Sequence, residues 1–393
     1  MVYRAIGIMS GSSLDGLDIA FAEFQENAGK WSYQILQADC YACTAEWIKK
    51  LKSATSLSAL DYQLLHVEYG HYIGKQVNQF IEKNNLQYQV ALIASHGHTT
   101  FHVPEKRMTA QLGDGAAIAS ETELPVVTDL RAIDVALGGQ GAPIVPIGEK
   151  LLLGDYNYFL NLGGIANVSF KPLSKVEGLP KEKKSSQYSG SSKPPSPIGE
   201  GGWGDEVAFD VCPANRVLNM LANELGKEYD EDGKIASSGK INSGLLEKLN
   251  ALDYYKQRYP KSLANDFGTD IVYPMIRDTG LETRDSLRTY LEHITIQIKK
   301  AISDSRLPTS DSRLLATGGG ALNSFLIQRL TDVLRELNVK VIVPDKMLIN
   351  FKEALIMAFM GILRWRQEYN VLSSVTGASR DSIGGAIWNG QEA

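Results

Sequence analysis

Twice along this 393-residue chain an apolar, β-rich run breaks on a small polar turn and comes straight back. Residues 3–9 lead into Ser10-Gly11-Ser12-Ser13-Leu14-Asp15-Gly16 and return as 17–24; residues 158–162 lead into Gly163-Gly164 and return as 165–170. Apolar alternation on both arms, with glycine, serine or aspartate between them, is the pattern of a β-hairpin. The same unit near the start and near the middle suggests an internal duplication. Length agrees, because 393 residues exceed what one hydrophobic core normally serves and two domains are expected.

Helical periodicity covers 45–54 and 61–85, the latter with a stripe of Leu64, Leu65, Val67, Tyr69, Ile73, Val77 and Phe80. Short strands are expected at 90–94 and 125–128, with a helix opening at Gly113-Asp114-Gly115 between them. Further on, 207–209 reads as a strand ending at Asp210, and 216–225, 245–252 and 286–303 read as helices. Strand 312–316 breaks at Thr317-Gly318-Gly319-Gly320, an amphipathic helix follows over 323–337, then a strand at 339–343 and a last helix over 351–369. Strands alternating with helices give an α/β fold of mixed sheets flanked by helices. Between 174 and 203 periodicity disappears into Lys, Ser and Pro, the composition of a surface insertion that cannot order itself.

Several functions are excluded early. Forty Lys+Arg against 45 Asp+Glu give a net charge of −5, so neither a nucleic-acid footprint nor a polybasic membrane surface is expected. Three cysteines, Cys40, Cys43 and Cys212, make no disulfide framework and suit a reducing cytoplasm. The N-terminus has no signal-peptide pattern, and the longest apolar run, 354–363, is too short to span a bilayer. His96, His98 and His102 have no carboxylate partner in sequence, which argues against a zinc site.

The two commonest nucleotide fingerprints, G-x4-G-K-[ST] and G-x-G-x-x-G after a strand, are both missing. In their place stand three glycine turns at strand ends: 11–16, Gly163-Gly164 and Gly318-Gly319-Gly320. Glycine lets a ligand approach the backbone closely, and N–H groups in such turns cradle phosphate. Ligands of α/β sheets bind at these strand ends. The first turn adds Asp15 and Asp18 beside Ser10, Ser12 and Ser13, a set suited to a Mg²⁺-nucleotide. An Asp15-Gly16 hairpin turn explains the same residues equally well.

The stretch Gly7-Ile8-Met9-Ser10-Gly11-Ser12-Ser13-Leu14-Asp15-Gly16-Leu17-Asp18 closely resembles the N-terminal signature of the anhydro-N-acetylmuramic acid kinases. The resemblance continues through Ser95-His96-Gly97-His98-Thr99, Asp129-Leu130-Arg131, Gly138-Gly139-Gln140-Gly141-Ala142-Pro143 and Asn161-Leu162-Gly163-Gly164-Ile165-Ala166-Asn167. It ends with Phe209-Asp210, Gly318-Gly319-Gly320 with Asn323, Glu353-Ala354-Leu355 and Val375-Thr376-Gly377-Ala378, so its motifs run in order along nearly the whole chain. It implies the actin-like, ribonuclease-H-like sugar-kinase fold: one domain of 1–135 completed by 370–393, a second of 136–369, and ATP with sugar in the cleft between. It implies hydrolysis of the 1,6-anhydro bridge with phosphorylation of O6, for which Asp210 is the base.

By the same resemblance Gly11, Ser12, Ser13, Asp15, Gly16, Asp18, Gly163, Gly164, Asn167, Gly318, Gly319, Gly320 and Asn323 hold ATP, with Asp15 toward Mg²⁺ through phosphates and water. Ser95, His96, Asp129, Arg131 and Glu353 are the expected sugar contacts, Arg131 being suited to a bidentate grip on the lactyl carboxylate. A salt bridge from Arg131 to Asp129 or Asp134, and a helix-dipole role for Glu353, are the plainer readings of those residues. The implied partners are thus ATP and a small amino sugar, and a homodimer is one assembly the chain allows. The chain departs from the family in having His98 for Gln, and Asp210-Val211-Cys212-Pro213-Ala214-Asn215 for Asp-Thr-Gly-Pro-Gly-Asn.

Overall fold

The computed structural model describes residues 1–11, 14, 16–170, 207–257, 261–263, 266–305 and 311–390. Ser12, Ser13, Asp15 and the 174–203 insertion lie outside the described residues. Strands Val2–Ser10 (β1), Gly16–Asn27 (β2), Lys30–Ala42 (β3), Leu92–Ser95 (β4), His98–Val103 (β5), Met108–Leu112 (β6) and Val126–Thr128 (β7) fill the first part of the chain. Tyr158–Leu162 (β8), Ile165–Phe170 (β9), Val207–Pro213 (β10), Ser312–Thr317 (β11), Val339–Ile342 (β12) and Ala386–Trp388 (β13) follow.

One sheet runs β13-β7-β4-β1-β2-β3 and the other β10-β9-β8-β11-β12. In the first, β1, β2 and β3 form an antiparallel meander, and β4 and β7 run parallel to β1. In the second, β8, β9 and β10 form the same meander, and β11 and β12 run parallel to β8. Counting each sheet from its own first strand, both contain the order 3-2-1-4-5 with strand 2 reversed, and the first adds β13, antiparallel to β7, at its edge. The two hairpins visible in the sequence therefore hold equivalent places in two copies of one α/β sheet. Each parallel step needs a crossover. Helices Ala45–Ser53 and Ala59–Lys83 supply it before β4, and Ser324–Arg335 supplies it before β12.

Helix Ala59–Lys83 buries Leu65, Tyr69, Ile73, Val77 and Phe80, while Leu64 and Val67 face solvent, so the stripe is narrower than the sequence suggested. Its Tyr69 hydroxyl lies 2.8 Å from Ser10 Oγ and ties the helix to the end of β1. Strand β3 was not expected. Its turn is Ala28-Gly29, both at positive φ (51° and 79°), as a two-residue hairpin loop requires, but without the Asn or Asp that usually marks one.

The last long helix is Lys346–Trp365, opening five residues before the expected start; Asp345 caps it by accepting from Leu348 N. Leu355, Ala358 and Phe359 share one core with Ala5, Ala22, Phe24, Leu92 and Ala94 of the first sheet, and with Phe159 and Leu315 of the second. This helix is the element on which both sheets rest. The C-terminal segment returns to the first sheet: β13 pairs antiparallel with β7, and buried Asp134 accepts hydrogen bonds from Thr376 Oγ1 (2.6 Å) and Gly141 N (2.8 Å). Among the described residues no helix is long and apolar enough to cross a membrane.

Candidate active site

A cavity of about 690 Å³ takes Met9, His96 and Arg131 from the first half, Asn161, Asn167 and Asp210 from the second, and Glu353 from the Lys346–Trp365 helix. Strand β10 does not stop at Asp210, as the sequence suggested, but continues to Pro213 across a bulge between Asp210 and Cys212. A bulge re-aims a side chain at a sheet edge, and here it puts Asp210 on the cavity wall. Asp210 Oδ2 accepts from Leu263 N (2.9 Å) and Ser262 Oγ (3.1 Å). Burial pushes the carboxyl up from its ordinary pKa, and these two bonds pull it part of the way back. Cys212, buried two residues on, has its thiol raised by burial, which makes it a structural thiol.

His96 is nearly sealed from solvent and burial lowers it to about 3, so it is neutral at working pH. Its Nδ1 lies 2.8 Å from Gly97 O; a carbonyl only accepts, so Nδ1 carries the proton. Nε2 is left as a buried acceptor with no partner among the described residues. Arg131 makes a salt bridge with neither Asp129 nor Asp134, since Asp134 is committed to Thr376 and Gly141. Its Nε is buried without a hydrogen-bond partner among the described residues, and burial lowers its pKa to about 10 against the pull of Glu353. A cavity lined by a buried guanidinium whose Nε has no hydrogen-bond partner among the described residues, and by an imidazole acceptor, suits an anionic, hydroxyl-bearing ligand.

Two of the expected sugar contacts sit elsewhere. Ser95 is buried behind the wall, its Oγ accepting from Gly97 N (3.3 Å) and so shaping the His96-Gly97 turn. Asp129 is exposed, in a left-handed conformation (φ 56°), with its carboxylate taking the Thr128 hydroxyl at 2.8 Å. Glu353 is on the wall; its helix is kinked at Phe351 (φ −118°, ψ 15°), so Glu353 stands in the first turn after the kink, where the helix-dipole explanation also applies.

The glycine turns differ in surroundings. The carbonyls of Gly163 and Gly164 accept from Asn215, Ala214 and Arg216 N–H groups, which fixes the β8–β9 turn against helix Asn215–Asn223. A Cβ on Gly163 or Gly164 meets nothing closer than 3.5 Å, so a methyl group fits at either position with ordinary van der Waals contacts. Gly318 (φ 79°) and Gly320 instead pack hard on Asn161 and Leu162. Asn323 caps helix Ser324–Arg335 through Leu326 N (2.9 Å). Asp18 lies on β2 opposite Met9, and Gly11 and Gly16 flank the undescribed part of the first turn.

Sequence reasoning missed a buried ion pair in the cavity wall. Lys352 Nζ meets Glu149 Oε1 at 2.8 Å, both side chains about 5% exposed, and Ser169 Oγ donates to Glu149 Oε2 at 2.5 Å. It also missed Arg216, whose buried Nε, beside Gly164, has no partner among the described residues. Lys352→Met strands a buried carboxylate and is expected to cost about 3 kcal/mol in urea unfolding. Glu149→Leu added to it should recover most of that loss. Equal stability of the single and double variants would contradict this role.

Two sheets sharing one strand order beside one cavity, with glycine turns at strand ends and a half-buried carboxylate on a bulged strand, make an α/β fold of two matched halves of the kind that holds ligands at its strand ends. The family model for anhydro-N-acetylmuramic acid kinase matches residues 3–179 and 203–390, and the chain belongs to that family. The anhydro-N-acetylmuramic acid kinase of Francisella tularensis subsp. novicida (strain U112) is 30% identical over 400 residues, covering 97% of each chain. That of Picosynechococcus sp. is 31% identical over 394 residues, covering 95% of this chain and 96% of its own. Among solved structures, a ROK family glucokinase from Streptomyces griseus in complex with glucose and AMPPNP is 12% identical with a TM-score of 0.38, covering 91% of this chain and 99% of its own.

Proposed function

We propose that this kinase opens the 1,6-anhydro ring of anhydro-N-acetylmuramic acid and phosphorylates the freed O6 with ATP, in the cytoplasm. The observation that carries this reading is a carboxylate of raised pKa, Asp210, lining one cavity with the unpartnered Nε of Arg131. Asp210 takes a proton from a water that attacks C1; the C1–O6 bond breaks, O6 attacks the γ-phosphorus, and ADP leaves. Arg131 grips the lactyl carboxylate, His96 Nε2 accepts from a sugar hydroxyl, and Glu353 holds the ring from the helix side. N–H groups of the Gly11–Gly16 and Gly163–Gly164 turns take the phosphates, with Asn167 beside them and the 318–323 turn toward the nucleoside. Asp15 and Asp18 are the residues that would hold Mg²⁺ through the nucleotide and water, a mode that needs only one or two carboxylates, and the ion would supply neutralisation of phosphate charge. The two halves of the clamp are taken as 1–135 with 370–393 and 136–369, sharing the Lys346–Trp365 helix.

A substrate panel tests the specificity. ADP release should be about 100-fold faster in kcat/KM with anhydro-N-acetylmuramic acid than with its N-acetylglucosamine counterpart, which lacks the lactyl carboxylate. Arg131→Met should erase that preference. A wild-type enzyme indifferent to the lactyl group would contradict the proposal. The open turn makes a separate prediction: Gly164→Ala keeps Tm unchanged but raises the KM for ATP about tenfold, because a methyl group obstructs phosphate approach. Thermal melts and ATP titrations check both halves of that statement.

A further inference from the structure

We propose that Ser262 is the positioning residue of the Asp210 carboxylate, deciding which of its oxygens faces the substrate. This rests on the reading of Asp210 as the base. Contacts from one short segment converge on this residue. Asp210 N donates to Lys261 O (3.1 Å), Leu263 N and Ser262 Oγ both donate to Oδ2 (2.9 and 3.1 Å), and the Tyr254 hydroxyl donates to the Asp210 carbonyl (2.5 Å). Oδ1 makes no hydrogen bond with any described residue, and Asp210 and Ser262 line the same cavity.

A carboxylate held by two donors on one oxygen cannot swing freely about its Cβ–Cγ bond. The other oxygen is therefore presented to the cavity in a fixed direction, which is what a general base needs. The Leu263 donor is backbone and survives any substitution, so Ser262 is the part that a side-chain change can remove. Both donors favour the ionised form, opposing the burial that raises the Asp210 pKa. Among the described residues the charged and titratable neighbours are Tyr254 and Lys261 on the adjoining segment, Cys212 on the same strand, and Arg131, His96, His102, Glu353 and the Glu149–Lys352 pair across the cavity. None of them is altered by a change at Ser262. No motif of the sequence covers residues 261–263, and Ser262 stands 52 positions from the carboxylate it holds.

The test is a set of kcat–pH profiles, measured by coupled ADP release with anhydro-N-acetylmuramic acid and saturating Mg-ATP. Ser262→Ala should lower kcat about tenfold, the scale of one hydrogen bond to a charged group. KM for both substrates should stay within about twofold, and the acid limb should move to higher pH. Ser262→Thr, which keeps the hydroxyl, should restore both rate and limb. Ser262→Cys, similar in volume but a weak donor, should follow alanine and not threonine. An alanine variant with wild-type kcat and an unmoved limb overturns the inference, as does equal impairment of the threonine and alanine variants. Asp210→Asn separates the two levels. Normal turnover by that variant defeats the base assignment itself, whereas a dead Asp210→Asn beside an unchanged Ser262→Ala defeats only the role of Ser262.

Discussion

Asp210→Asn lowers kcat by about 10³-fold while ATP binding and Tm stay close to wild type. A positioned general base contributes about 10²- to 10⁴-fold, and in the proposed reaction the amide cannot accept the proton that water must lose before C1 is attacked. The substitution is close to isosteric and keeps an oxygen that can accept from Leu263 N and Ser262 Oγ. The loss should therefore appear in kcat and not in folding. The pH dependence gives a second signature. Because the Asp210 pKa is raised, the working carboxylate is lost on acidification at a higher pH than for an ordinary aspartate. Residual activity of the asparagine variant should lack that acid limb. Coupled ADP release across pH, with ATP binding by calorimetry, checks both; wild-type kcat in the variant contradicts the account.

Gly7→Ala should be among the most destabilising single changes in the protein, costing about 3 kcal/mol or more. A Cβ on Gly7 would lie 1.8 Å from Ala354 O and 2.5 Å from Ala358 N, both main-chain atoms of the Lys346–Trp365 helix. The helix cannot retreat cheaply, because Leu355, Ala358 and Phe359 are fully buried in the core shared by the two sheets. Glu353 precedes the contacted residue, so the surviving folded fraction should also lose activity. Urea denaturation measures the first effect and specific activity the second. A variant as stable as wild type would mean that the close approach of β1 to this helix is not a constraint. Gly164→Ala is the natural comparison, being open where Gly7 is closed.

The contrast between these two glycines shows what the sequence could convey. Glycine at strand ends announced the hairpins β1–β2 and β8–β9, because a break in apolar alternation is a local signal. It did not say that Gly7, within β1, is demanded by a helix nearly 350 residues later, nor that Gly163 and Gly164 are demanded by nothing in the protein's own packing. Strand β3 went unread because Ala28-Gly29 lacks the usual turn chemistry. Asp210 was legible as a strand-end carboxylate through its motif, but the bulge that aims it was not. Pairings such as Glu149–Lys352, 203 residues apart, and Asp134–Thr376, 242 apart, have no local signature at all. The alanine at 214, where the motif it resembles has glycine, has φ −127° and ψ −102° and a side chain buried in the core of the second sheet.

The central claim is that one cavity joins ring opening to phosphoryl transfer. Mass analysis of the product formed from anhydro-N-acetylmuramic acid and Mg-ATP tests it most directly. The account predicts one ADP per sugar and a product heavier than the substrate by one phosphoryl group and one water. Phosphorylation of a ring that stays closed, or ADP release with no phosphorylated sugar, would contradict it.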